Sequence, residues 1–353
     1  MNRKNFSIRS ALSAVFALAV SLTPVHHLSA ASGTEKGIPL TAGYLPTTGH
    51  AKYFVAYEEG FFAEEGLDVK LVEFLNSADG LAALRAHKLD VAAFGTSAPL
   101  LHISKGADLR IIGGVMGEDA SVFTTKDKAH SINSIADLKG KKIATVRLAS
   151  GDAILRGALA DAGIDWQKDV QLFELKNPPA VQEAVLSGQV DAGVTWGPFD
   201  IRAEQAGLEV VIRSRNLYPG HPCCRLTVNN DDRYRKTPEV WVKFLRAFLK
   251  AEKFTQEYRE QTVEDIHKYF PIDKETIYQG YYEGFLDQST DPNLTGLQNF
   301  WHIILSSGFA ESDKDIAGYV DVNLYREALQ SLITEQPDEL FWQQKLIQYQ
   351  SRN

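Results

Sequence analysis

Strand and helix patterns alternate regularly from residue 38 onward, and this alternation narrows the possible folds. The apolar run Ile38–Tyr44 predicts a strand, and aromatic residues at three- and four-residue spacing over 53–57 predict a helix that ends at Gly60. The same alternation continues to about residue 225, and this pattern predicts an α/β fold with mostly parallel sheets. Further strands are predicted at 67–74, 90–94, 109–115, 142–147, 170–175, 191–195 and 208–212.

Two such α/β units without a linker between them predict two lobes that exchange strands. A chain of 353 residues is long enough for two lobes. A ligand would then bind between them, where strand ends and helix N-termini face each other. The expected division assigns 36–122 to the first lobe, 123–225 to the second lobe, 226–335 to the return into the first lobe with added helices, and 336–353 to a C-terminal helix or tail.

The N-terminus has the pattern of a secretory signal peptide over residues 1–31. Three basic residues precede an apolar run over 11–25, and small residues mark a cleavage site near Ala30-Ala31. No cysteine lies near that site, so we expect a freely soluble periplasmic protein and not a lipid-anchored one. Cleavage would change the net charge from −8 to −11. An acidic surface disfavours nucleic acids and anionic membranes as partners.

Four segments resemble a known family, and their order is more specific than any one of them. The family comprises the periplasmic binding proteins for nitrate, sulfonates, taurine and thiamin precursors, which share a domain with the eukaryotic pyrimidine synthase of thiamin biosynthesis. The resemblance covers roughly residues 36–330. The segments are AYEEGFFAEEGLDV at 56–69, LDVAAFGTSAP at 89–99, IADLKGKKIA at 135–144 and DAGVTWGPF at 191–199.

The resemblance implies a two-lobed periplasmic-binding-protein fold of the type II-like class, with two strand crossovers. It also implies that the protein hands a small molecule to the permease and ATPase subunits of an ABC importer. We expect a monomer without a cofactor. Carried onto this chain, the ligand contacts of the family are Thr47, Thr48, His50, Gly95, Thr96, Ser97, Ser150, Gly151, Asp152 and Trp196.

The residue types at these positions leave alternatives open. Ser150-Gly151 and Thr96-Ser97 stand at predicted helix starts, where a hydroxyl and free N–H groups either cap the helix or bind an anion or carbonyl oxygen. Asp152 would repel an anionic ligand unless Arg147 points into the cleft and offsets it. Trp196 either stacks on a ligand ring or packs in the core.

The segment His221-Pro222-Cys223-Cys224 is unusual because it holds the only two cysteines of the chain. It lies where the chain returns to the first lobe, so we expect it beside the cleft. Four alternatives remain: a vicinal disulfide, a pair of thiols that binds a soft metal or metalloid near His221, a thiol pair that exchanges with a ligand, and two small buried residues.

Two functions are therefore compared. A solute-binding protein for uptake is favoured by the signal peptide, the two-lobed pattern and the lack of nucleophile–base and phosphate-loop motifs. The alternative is a periplasmic sensor or enzyme on the same fold, with His221, Cys223 and Cys224 at its centre. The fold alone does not separate these two functions.

Overall fold

The computed structural model describes residues 37–284 and 286–353, so the predicted signal peptide lies outside the described residues. Within them, ten strands form two five-stranded sheets. The strands are β1 (Ile38–Tyr44), β2 (Leu67–Glu73), β3 (Val91–Gly95), β4 (Leu109–Gly117), β5 (Ala120–Thr125), β6 (Lys142–Val146), β7 (Gln171–Leu175), β8 (Ala192–Trp196), β9 (Leu208–Arg213) and β10 (Pro222–Asn229).

The two sheets have the same plan, and each receives one antiparallel strand from a crossing of the chain. The first sheet has the order β2-β1-β3-β10-β4 and the second has the order β7-β6-β8-β5-β9. Strand β1 pairs in parallel with β2 and β3, whereas β10 runs antiparallel to β3 and β4. In the second sheet β6 pairs in parallel with β7 and β8, whereas β5 runs antiparallel to β8 and β9. The predicted two-lobed α/β fold with two crossovers is confirmed.

The chain passes between the sheets at 118–119 and again at 214–221. The expected lobe limits at 122/123 and 225/226 fall inside β5 and β10. A strand that is hydrogen-bonded along its length to one sheet belongs to one lobe, so the sheet pairing favours division in the connecting segments. The assignment of residues to the two lobes stays a prediction, with its limits moved to the connecting segments 118–119 and 214–221.

Helices cover both sheets and make up most of the chain after β10. A π-helical turn, Gln279–Glu283, follows the short α-helix Lys274–Tyr278. The α-helices are α1 (Ala51–Glu58), α2 (Phe61–Glu64), α3 (Ser77–Arg85), α4 (Ser97–Ser104), α5 (Ser150–Asp161), α6 (Pro178–Leu186), α7 (Phe199–Gln205), α8 (Ser214–Leu217), α9 (Asp232–Lys236), α10 (Pro238–Glu257), α11 (Arg259–Tyr269), α12 (Lys274–Tyr278), α13 (Leu294–Ser306), α14 (Val322–Glu335) and α15 (Leu340–Arg352), with 3₁₀ turns at Thr48–His50, Ile135–Leu138 and Ile316–Tyr319.

The long helix α10 anchors the core of the first lobe. Proline at its first position presets the backbone for a helix start, and its apolar residues recur on one face. Phe244 and Phe248 on that face are buried against Tyr53 of α1, with ring centroids 6.5 and 4.8 Å away. The C-terminal helix α15 packs on the same core through Trp342. Across the described ranges, no helix combines the length and apolar character that a membrane crossing requires.

Candidate ligand-binding site

The lobes touch where the end of β3 meets the start of α5. A Cβ atom at Gly95 would lie 2.9 Å from the backbone nitrogen of Ser150 and 3.2 Å from the carbonyl oxygen of Leu148. Both distances are shorter than ordinary van der Waals contact. Only glycine lets the two lobes approach this closely. This close approach explains why the predicted site has a glycine at position 95.

The hydroxyl of Ser150 joins the lobes and does not cap its own helix. The N-cap residue of α5 is Ala149, which makes no side-chain cap. Ser150 Oγ instead donates to the carbonyl oxygen of Cys223 and accepts from the backbone N–H of Thr96 at 2.8 Å. Thr96 Oγ1 also donates to the Cys223 carbonyl oxygen, at 2.8 Å. The capping alternative is therefore wrong for both hydroxyls.

Two more side chains at predicted site positions bond across the cleft. Ser97 Oγ donates to the carbonyl oxygens of Leu148 and Ala149 at 2.8 and 3.0 Å. Thr47 Oγ1 donates to the carbonyl oxygen of Gly197 at 2.6 Å. These bonds, like the bond from Ser150 Oγ to the Cys223 carbonyl oxygen, join one lobe to the other, so the structure shows the lobes closed on each other.

Thr48 and His50 are buried, and each keeps a polar atom without a partner among the residues described. Thr48 Oγ1 and His50 Nε2 are those atoms. His50 Nδ1 accepts from the backbone N–H of Leu45 at 3.2 Å, so the neutral ring carries its proton on Nε2. Burial and then the nearby Lys52 ammonium lower the pKa of His50 to about 3. The ring therefore stays neutral and offers a buried N–H donor.

Asp152 is turned away from the cleft and into an ion pair on its own helix. Its Oδ1 accepts from Arg156 Nε at 3.0 Å, and the guanidinium also reaches Glu174 at 2.9 Å. Burial raises the pKa of Asp152 to about 6, although the Arg156 charge opposes this shift. Arg147 is 67% exposed at its side chain and faces Glu174, so it does not enter the cleft. The expected repulsion between Asp152 and an anion is therefore screened by Arg156.

Trp196, the last residue of β8, lines the space between the lobes. Its ring packs edge-on against Phe199 at 6.1 Å, and its indole N–H is buried without a hydrogen-bond acceptor in the described chain. The tryptophan also lines an apolar groove that leads outward from the cleft. The groove residues are Leu45, Pro46, Leu75, Asn177, Pro178, Pro179, Trp196, Phe199, Arg202 and Phe270.

His221 is held apart from the thiols by bonds of its own. Its Nε2 lies 2.9 Å from Ser214 Oγ, and its ring stacks on Phe300 at 6.3 Å. Burial lowers the pKa of His221 to about 4. Cys223 and Cys224 are buried free thiols whose sulfur atoms are 3.9 Å apart, so the disulfide alternative is not what the structure shows.

The central cavity between the lobes joins six of the predicted site residues. Its volume admits about one water molecule in this closed arrangement. Sequence reasoning missed the other five, although Leu45 is close to Thr47 and Ala149 precedes Ser150 in the chain; the five are Leu45, Ser77, Met116, Ala120 and Ala149. The cavity is lined by Leu45, Ser77, Gly95, Met116, Ala120, Ala149, Ser150, Gly151, Trp196, Cys223 and Cys224.

A second, acidic cavity lies on the other side of Gly197 and was not predicted. Asp119 and Asp200 line it together with Arg213, which pairs with Asp200 at 3.2 Å. Burial, and to a smaller degree Cys223 and Asp200, raise the pKa of Asp119 well above its usual value. Its lining residues are spread over 118–284, so no local sequence pattern indicates this cavity. Across 37–284 and 286–353, no three His, Cys, Asp or Glu side chains form a group that could hold a metal.

Comparison with known proteins identifies the family of the chain. A sequence profile of the NMT1/THI5-like family matches residues 47–262. The chain belongs to the NMT1/THI5-like family. A protein of Brucella abortus, described only as a candidate binding protein, is 29% identical over 243 residues, which are 68% of this chain and 74% of that protein. The expected family is confirmed.

Solved structures similar to this NMT1/THI5-like chain support the fold. The periplasmic nitrate-binding protein NrtA from Synechocystis superposes with a TM-score of 0.74 at 17% identity, covering 84% of this chain and 89% of that chain. The periplasmic aliphatic sulphonate binding protein SsuA from Escherichia coli has a TM-score of 0.67 at 20% identity, covering 80% and 92%. At this identity the likeness concerns the fold.

Proposed function

We propose that this NMT1/THI5-like protein is the solute-binding component of an ABC importer. It would work in the periplasm as a monomer without catalytic activity, capture a small organic solute between its lobes, and deliver it to the permease and ATPase subunits. The family, the two-lobed fold and the names of the related binding proteins support this proposal.

The observation that carries the proposal is the unpartnered indole N–H of Trp196 beside the start of α5. A buried donor without an acceptor costs about 1–3 kcal/mol, and a ligand acceptor would remove that cost. The first N–H groups of α5 have no side-chain cap and lie at the positive end of a 12-residue helix. Two sets of donors in one interlobe cavity suit a solute with an acceptor-bearing group, either sulfonate- or taurine-like or thiamin-precursor-like.

Closure and binding are coupled in this proposal. The bonds of Thr47, Ser97 and Ser150 across the cleft form only when the lobes are together. A solute that bridges the lobes therefore stabilises the same closed arrangement as these bonds. Opening is needed for entry because the closed cavity admits only about one water molecule.

The alternative of a sensor or enzyme centred on His221 and the cysteines finds less support. A general base must lie within hydrogen-bonding reach of the thiol that it activates. His221 instead bonds to Ser214 and is absent from the cavity lining, where both thiols are found. We retain solute binding as the proposed function.

The test begins with mass spectrometry of small molecules released from purified protein. Thermal melting and small-angle scattering then compare the ligand-free protein with protein in nitrate, taurine, ethanesulfonate, a hydroxymethylpyrimidine or the released compound. A ligand at a hundred times its Kd adds about 2.7 kcal/mol, which we expect to raise the Tm of a chain of this length by about 4 °C. Scattering should show compaction. A released compound that changes neither quantity would refute the proposal.

A further inference from the structure

The two cysteines owe their common direction to an irregularity in β10. Adjacent residues of a regular strand point to opposite faces of the sheet. Here Pro222 pairs with Gly117 and Cys224 pairs with Met116, so two steps along β10 match one step along β4. Cys223 is the extra residue of this bulge, and bulges re-aim side chains.

The bulge brings both sulfur atoms to the same cavity. They are 3.9 Å apart, and both cysteines line the space between the lobes together with Trp196. Two small core residues would not need this arrangement, because a regular strand would bury one on each face of the sheet. The pair therefore forms a two-thiol unit directed at the ligand cavity.

A buried cation stands next to the thiol pair. Arg225 is 1% exposed, and its NH1 donates to the carbonyl oxygens of Met116 and Cys224 at 3.0 and 2.8 Å. Its Nε is buried without a partner in the part of the chain that the structure describes, and Asp287 and Asp291 are the carboxylates whose charges act on it. The hydrogen bond from Cys224 is the main cause that lowers the pKa of Cys223, and Ser150 and Arg225 add to it. The pKa of Cys224 is raised, chiefly because its thiol proton is hydrogen-bonded to the Cys223 sulfur and then because the thiol is buried.

The surroundings limit what this unit can bind. Zinc sites need three or four protein ligands, and no third His, Cys, Asp or Glu joins the pair among the residues described. A soft centre that is satisfied by two sulfurs and brings its own third substituent fits this donor set. The apolar groove from Trp196 past Phe199 to Phe270 offers room for an organic substituent.

We propose that Cys223 and Cys224 form a two-thiol chelate in the ligand cleft for a soft thiophilic centre, of the class of monosubstituted trivalent arsenicals. An organoarsenous acid, R–As(OH)₂, would exchange both hydroxyl groups for two As–S bonds. The two thiol protons leave with the two hydroxyls as two molecules of water, and the oxidation state of arsenic does not change. The inference rests on the proposed function, since it names a chemical class for the same cleft.

The experiment uses phenylarsine oxide, which hydrates to such an acid, on the native full-length protein. We expect one phenylarsenic group per chain by intact mass, with both thiols lost to titration at once. A dithiol should reverse the adduct, whereas an equal concentration of a monothiol should not. Because the two As–S bonds act together, Cys223→Ser and Cys224→Ser should each weaken binding at least about a hundredfold.

Circular dichroism and melting of each variant show whether it is folded. The wild type supplies an independent comparison, since its native and urea-denatured forms carry the same two thiols. Faster and tighter reaction of the native form supports a preorganised chelate. An adduct on the denatured chain alone, an adduct at a single thiol, or single variants that bind as tightly as the wild type would each overturn the inference. Ligand-induced compaction with the solutes above is a separate measurement, so failure of the chelate is distinguishable from failure of solute capture.

Discussion

Replacing Gly95 with alanine tests whether close approach of the lobes is needed for binding. The new methyl carbon would lie 2.9 Å from the Ser150 nitrogen and 3.2 Å from the Ala149 Cα. Carbon contacts are most favourable at about 3.5–4.0 Å, so the gap has to widen by roughly 0.5–1 Å. The obstacle is backbone on both sides and cannot rotate away.

The wider gap destabilises the closed form because it weakens hydrogen bonds between the lobes. Three hydrogen bonds cross at this point, from Ser150 Oγ to Cys223, from Thr96 N–H to Ser150 Oγ and from Ser97 Oγ to Leu148. At about 0.5–1.5 kcal/mol each, their partial loss destabilises the closed form by about 2–3 kcal/mol. Solute affinity should fall about 30- to 150-fold.

Calorimetry with the released solute measures this loss, and scattering measures whether compaction still occurs. Gly318→Ala is the matched control, because its Cβ would meet no atom within 4 Å and its backbone is not in the left-handed region. The ligand-free Tm of Gly95→Ala should stay close to that of the control, because an open form lacks the clash. If Gly95→Ala binds as tightly as Gly318→Ala, close approach at this point is not part of binding.

Three other substitutions test separate parts of the argument. Ser150→Ala removes the hydroxyl that joins the lobes, and calorimetry should show roughly 10-fold weaker binding with an unchanged ligand-free Tm; equal affinity would make the hydroxyl dispensable. Below pH 6.5 the unfolded chain protonates His50 while the folded chain, with its pKa lowered to about 3, does not, so stability falls as the pH falls through that window. In urea unfolding, the free energy of unfolding should fall by about 2 kcal/mol less between pH 7 and pH 5 for His50→Asn than for the wild type. An equal pH dependence in both proteins would contradict the buried neutral ring. Lys52→Met leaves the fully buried Glu252 with one cation fewer and should cost about 3 kcal/mol in urea unfolding; adding Glu252→Gln should recover part of this, and no recovery would argue against an ion-pair origin.

Sequence patterns predicted the two-lobed class of fold and eight of the ten strands in order, but not the two crossing strands β5 and β10. Strand and helix patterns are local, so Ile38–Tyr44, the helix after it and the amphipathic α10 follow from residue periodicity. The four family segments likewise depend only on residue identity. The positions of Gly95 and Ser150 beside one cleft were predicted in the same way, and the structure brings them into contact.

The role of each side chain at the cleft depends on contacts that form only in the folded, closed protein. Ser150 looked like a helix cap, yet it bonds to Cys223 from the other lobe, because a hydroxyl takes the nearest acceptor and that acceptor arrives by closure. Asp152 looked like a cleft residue, yet it pairs with Arg156 one turn along its own helix. The common direction of Cys223 and Cys224 arises from a change of register between β10 and β4. Strand register is set by residues more than a hundred positions apart in the chain, and no local pattern contains it.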